Sequence, residues 1–203
     1  KAIGLINRPD IFKIIYSHYI PKHGSVDTPP IIKAIIDHNP LAFETIYSGK
    51  DDIICKSPDK SNDNLIGLIC ENDRDKKFKN ILITKVLKDA KEMNLEPTNS
   101  TSNGICHWAC YYLYVEVANM MFKLPNCNIN RLANGKTGPT NFINRKEKAE
   151  VNKMIDCLID NGFNINDTHG GRVPTLLESF LNAIMKNLDA IQLLINRGAD
   201  INA

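Results

Sequence analysis

The feature that most constrains this chain is an apolar stripe that returns every 32 to 40 residues. Read from the C-terminal end, adjacent apolar pairs fall at Leu193/Leu194, Cys157/Leu158, Met120/Met121, Val86/Leu87, Ile46/Tyr47 and Ile14/Ile15. Met154, Val117, Ile83, Phe43 and Ile11 each stand three residues before the first member of a pair. An i, i+3, i+4 spacing puts all three side chains on one face of an α-helix. From the first pair to the last, the steps are 32, 40, 34, 37 and 36 residues. That scatter suits a two-helix unit with loops of variable length. A unit of this size cannot bury its own stripe, so neighbouring units have to stack and cover one another.

The clearest units end in a short amphipathic helix, a glycine and an extended exit containing Asn or Asp. One runs through Gly162 to Asn164-Ile165-Asn166, the other through Gly198 to Asp200-Ile201-Asn202. The first helix of each unit is fainter: Ile32 to Ile36, Ile66 to Cys70, Cys106 to Cys110, and Leu176 to Leu181. Asn103-Gly104, Asn134-Gly135 and Gly170-Gly171 supply turn chemistry, because Gly and Asn tolerate the positive φ of tight turns. The polar stretch 51–64 and the charged run 71–77 are expected to be solvated loops.

These residues resemble the ankyrin repeat family. Gly198-Ala199-Asp200-Ile201-Asn202-Ala203 is similar to the family's Gly-Ala-Asp-x-Asn-Ala exit. His107-Trp108-Ala109 sits where the Thr-Pro-Leu-His-x-Ala motif has its His and Ala, and Asn134-Gly135-Lys136-Thr137 resembles the Asn-Gly-x-Thr turn that opens a unit. The likeness is strong from Ser100 to Ala203 and diffuse from Lys1 to Asn99. Pro139-Thr140-Asn141 and Pro174-Thr175-Leu176 are altered versions of the motif, and the first helices of the last two units read as extended by a few residues.

The resemblance implies an all-α, ankyrin-type solenoid of stacked helix–turn–helix repeats with short hairpin connections. The units would be a partial one at 1–24 and repeats at 25–60, 61–97, 98–133, 134–166 and 167–203, and the consensus-like end is read as a cut from a longer chain. It also implies a protein–protein interaction scaffold that binds another protein through a concave groove and hairpin tips. The alternative is a regulatory ankyrin region acting within its own chain on an attached enzyme or channel domain. His107 would tie neighbouring hairpin turns together.

Composition narrows the function further. With 43% hydrophobic and 24% charged residues, the chain is that of an ordinary globular protein. A net charge of +2 from scattered basic residues argues against nucleic acid or an anionic membrane as partner. No apolar run approaches the roughly 18 residues of a membrane span. The chain is expected to be monomeric, cytoplasmic and without a cofactor. No Walker A, HExxH, GxGxxG or catalytic triad motif occurs, so catalysis is not expected. The six cysteines form no CxxC pair, and Cys106, His107 and Cys110 lack a second ligand pair for zinc. Neither a metal site nor a disulfide is expected, and the cysteines read as reduced core thiols.

Binding residues are sought among aromatics and hairpin-tip polar groups. Trp108 is expected to pack between units. Tyr111 and Tyr112 face the groove at the positions the family uses, and aromatics make good anchors because they offer rigid area at little entropic cost. Asp37, His38, Glu71, Asn72, Asn103, Lys136, Arg145, Lys146 and Arg172 fall at groove or tip positions, acidic in the early units and basic in the last two. Such a gradient would orient a partner of complementary charge.

Overall fold

From Phe43 onward the stripes lie on helices or at a helix end, while Ile11, Ile14 and Ile15 lie outside the described residues. The computed structural model describes residues 31, 34–35, 38–47, 69–70, 76–89, 105–124, 127–130, 132–133, 136–137, 140, 142–184 and 186–202, with the backbone alone at 46, 89, 105–107, 132–133 and 136–137. Two compact units divide the chain, Lys1–Asp89 and Ala90–Ala203.

In the first unit, α1 (Pro40–Ile46) starts at Asn39, whose Oδ1 accepts the Ala42 N–H at 3.0 Å. Pro40 stands in the first turn, where its missing N–H costs nothing. Phe43 is fully buried, edge-on to Phe78 at 5.5 Å and stacked on Tyr47 at 5.5 Å. A second helical run joins α2 (Lys79–Ile81), a π-helical turn (Leu82–Val86) and α3 (Leu87–Asp89). The wider turn changes the expected stripe. Leu82, Val86 and Leu87 are buried while Ile83 is only half-buried, because an i, i+5 turn carries Leu82 onto the inner face in place of Ile83. Lys85 and Glu44 pair across these helices.

In the second unit, α4 (Ile105–Tyr111) packs on α5 (Val115–Phe122), and α5 on α6 (Lys148–Asp160). α7 (Leu176–Leu181) packs on α8 (Leu188–Asn196), which returns to α6. Val117, Met121, Met154, Leu158 and Leu194 have no exposed surface and Cys157 is nearly buried, whereas Met120 and Leu193, the first members of their pairs, are only half-buried. Leu158 and Leu194 occupy matching places 36 residues apart. A small antiparallel hairpin pairs β1 (Leu132–Ala133) with β2 (Lys136–Thr137), Ala133 opposite Lys136.

One expectation about first helices fails. Residues 140 and 142 lie in a 3₁₀ turn, and α7 has six residues, so neither first helix is extended. Phe142 in that turn is fully buried, 6.2 Å from Phe180. At α7, Thr175 forms a capping box with Glu178, fixing a late start.

The turns leaving α5, α6 and α8 share one build. Asn130 N–H donates to Asn128 Oδ1 at 3.0 Å, Asn166 N–H to Asn164 Oδ1 at 3.1 Å, and Asn202 N–H to Asp200 Oδ1 at 2.8 Å. Before the second and third of these turns, Gly162 (φ +88) and Gly198 (φ +91) end their helices in the left-handed region that glycine enters without strain.

Cysteine chemistry differs from the expectation. Cys70, Cys110 and Cys157 are buried thiols outside any disulfide, as core thiols should be. Cys127, however, is disulfide-bonded. No CxxC spacing surrounds Cys127, so nothing local in the sequence marks it. Among the described residues no helix is long and apolar enough to cross a membrane.

Candidate functional site

The site begins where α4 ends. Leu113 N–H bonds Cys110 O at 3.0 Å and Tyr114 N–H bonds Ala109 O at 2.8 Å, a Schellman turn with Leu113 at φ +56. A leucine enters this left-handed region at a cost of about 1–2 kcal/mol. Burial of Leu113 and Tyr114, 2% and 3% exposed, offsets that cost. With these two anchored, Tyr111 and Tyr112 are turned outward: Tyr111 is 37% exposed and Tyr112 half-buried.

Three rings and a cation meet there. Tyr112 stacks on Trp108 at 5.9 Å, one helical turn away, and Tyr111 stands edge-on to Tyr112 at 4.8 Å and to Trp108 at 6.3 Å. Arg145 Cζ lies 5.2 Å from the Tyr111 centroid and 5.6 Å from that of Tyr112. Such cation–π contacts contribute about 0.5–2 kcal/mol. Arg145 is placed by its own N–H, which bonds Phe142 O at 2.9 Å, so the 3₁₀ turn delivers the guanidinium to the rings. Glu147 approaches its Nε at 3.8 Å. Trp108 Nε1 is buried and without a hydrogen-bond partner among the described residues.

The structure thus brings Tyr111, Tyr112 and Arg145 together. Lys146 and Arg172 are exposed and stand outside the stack, Lys146 just before α6 and Arg172 in the turn after Thr168. Lys136 is in β2, and its side chain lies outside the described residues. His38 is an exposed turn residue at φ +52. Its N–H bonds Ile35 O at 3.0 Å and the Asn39 N–H bonds Ala34 O at 2.9 Å, the same turn that Leu113 makes. Histidine tolerates this conformation better than most side chains, which gives His38 a local structural task. Asp37, Glu71, Asn72 and Asn103 lie outside the described residues, as do the loops at 51–64 and 71–75.

Trp108 is the member that sequence reasoning places elsewhere. It is half-buried and stacked on Tyr112, not sealed between units. Its i, i+3, i+4 relation to Tyr111 and Tyr112 is the signal that could have found it. Arg145 is expected at a groove or tip position, and only the fold shows that it covers Tyr111 and Tyr112.

The other chemically notable group is Cys157, between α5 and α6. Its Sγ reaches Val115 O at 3.8 Å, and Asn161 Nδ2 bonds Cys157 O at 2.7 Å and Asn119 Oδ1 at 3.0 Å. Burial, helped by the nearby Asp160 charge, pushes this thiol up to about 11, with Lys123 opposing. It is a poor nucleophile at neutral pH. Among the described residues no group of three or more His, Cys, Asp or Glu could hold a metal ion.

Compared with protein-family models, curated proteins and solved structures, the chain matches none.

Proposed function

We propose that this chain is a binding scaffold of the ankyrin type, which holds a partner protein at the patch formed by Trp108, Tyr111, Tyr112 and Arg145 and performs no catalysis itself. The observation that carries the reading is the ring–guanidinium cluster. Two tyrosines and a tryptophan are already locked against one another and under Arg145 before any partner arrives. Pre-set aromatic and Arg side chains spare the ordering entropy that weakens association, and these residue types dominate binding hot spots. Stacked helix–turn–helix units are supported by the three alike turns and by the matching burial of Leu158 and Leu194.

The test is comparative capture from the source cell, with the parent chain and a Tyr111→Ser/Tyr112→Ser variant as baits. A protein held by the parent, lost by the variant and rebound in purified form supports the patch. A partner that binds both alike puts the binding face elsewhere.

A further inference from the structure

Arg145 reaches the aromatic patch with its flat face in use and its hydrogen-bonding edge unused. Its Cζ lies over the rings of Tyr111 and Tyr112, at 5.2 and 5.6 Å from their centroids. The guanidinium makes no hydrogen bond among the described residues: Nε is buried without one, while the side chain as a whole is 30% exposed. The acid that stands beside it is Glu147, whose Oε2 is 3.8 Å from Nε, beyond hydrogen-bond reach. That side chain is 55% exposed. Glu147 is also the N-cap residue of α6, yet its side chain makes no capping bond. Its carboxylate therefore holds Arg145 loosely and caps nothing.

The charge around this pair is one-sided. Lys146 and Lys148 flank Glu147 in sequence; both are exposed, and neither has an ion pair among the described residues. The next acid, Glu150, is paired with Lys153 at 2.8 Å. α4, which carries the rings, has no acidic residue. The loop into α6 thus sets three cations against one loosely held carboxylate, at the positive end of a 13-residue helix. A guanidinium resting on aromatic faces is weakly hydrated and fixed in plane, and its open edge matches a carboxylate through two parallel N–H···O bonds.

We propose that the patch takes an acidic segment of the partner protein, one Asp or Glu of which bridges the edge of Arg145 in the place toward which Glu147 leans. The rings carry the carbon atoms that flank this carboxylate, and Lys146 and Lys148 draw the segment in. Glu147 is an internal competitor, displaced when the segment binds. A neutral segment would leave the guanidinium edge unmatched, and a basic one would meet three like charges. This inference rests on the patch being the binding face and adds the chemistry of what it holds.

The experiment uses the 203-residue chain and fluorescein-labelled hexaglutamate, read by anisotropy at low salt, where surface charges are least screened. Hexaglutamate should bind and hexaglutamine should not. Arg145→Gln should weaken binding at least about threefold. Arg145→Lys should recover less than half of that loss, because an ammonium has the charge without the fork. Glu147→Gln should tighten binding about twofold by removing the competitor. Its melting temperature should match the parent's, since Glu147 makes no capping bond, so this arm decides even where an Arg145 variant folds poorly. Hexaglutamate that does not bind, an Arg145→Lys chain that binds as the parent does, or a Glu147→Gln chain that binds no tighter overturns the proposal. So does hexathymidylate held as tightly as hexaglutamate, because charge alone would then be read. The two readings fail separately. A captured partner lost with Tyr111→Ser/Tyr112→Ser but indifferent to Arg145→Gln and Glu147→Gln sinks the carboxylate and keeps the patch. A captured partner that ignores the tyrosines sinks the patch, whatever hexaglutamate does.

Discussion

Arg145 lies over two tyrosine rings whose third neighbour is an indole, and the four groups hold one another without a sealed core around them. Replacing Tyr111 and Tyr112 together by Ser should weaken partner binding by more than about 1 kcal/mol, or over fivefold, in a direct titration. Thermal unfolding should change little, because Tyr111 is exposed and Leu113 and Tyr114 keep the turn. Arg145→Ala should lower affinity less, as it removes the ring clamp and leaves the rings. Cys157 makes a prediction about pH. Its thiol would ionise near 9.0 when unfolded but only near about 11 when folded. Stability from this site is therefore full below pH 9 and is lost as pH rises toward 11, since only the unfolded chain readily releases the proton. Chemical unfolding measured from pH 8 to 11 should show a steeper fall for the parent than for Cys157→Ala. Equal slopes would show that the thiol is not buried as described.

Among the elements, α6 and α8 carry the packing, and their ends carry the register. Leu158→Ala and Leu194→Ala each remove a fully buried side chain, and each should cost about 2–5 kcal/mol by lost transfer energy and the cavity left behind. Denaturant titration reads this directly, and a cost under about 0.5 kcal/mol would mean that the helices do not pack through these positions. At the glycines that end these helices, the added Cβ of an alanine meets nothing within 4 Å. Any loss from Gly162→Ala or Gly198→Ala is then conformational, about 1 kcal/mol for holding an L-residue at positive φ. Asn166→Ala removes its bonds to Gly198 O and the Asp200 N–H and should cost about 1–2 kcal/mol.

For the whole molecule the cysteines give the plainest check. Reduction of the intact chain should add the mass of two hydrogens, and alkylation under native conditions should leave Cys70, Cys110 and Cys157 largely unmodified because all three are buried. An unchanged mass would return Cys127 to the thiols. By itself the sequence determined that the described part of the chain is helical and that Phe43, Val117, Met154, Leu158 and Leu194 lie on buried helix faces, because apolar period and glycine punctuation are local signals. It also held three alike turns, although Asn128-Ile129-Asn130 does not stand out as the first of them: its helix ends in Lys123-Leu124 with no glycine to mark it. Only the tertiary structure decided that Leu82 and not Ile83 is buried, that Phe142 packs against Phe180, and that Cys127 is disulfide-bonded. It alone set Arg145 on Tyr111 and Tyr112, 34 and 33 positions away in sequence. The physical reason is the same in each case. A helix face is fixed by neighbours three and four residues apart, but a cation over a ring, a disulfide or a widened turn depends on which surfaces the packed chain brings together.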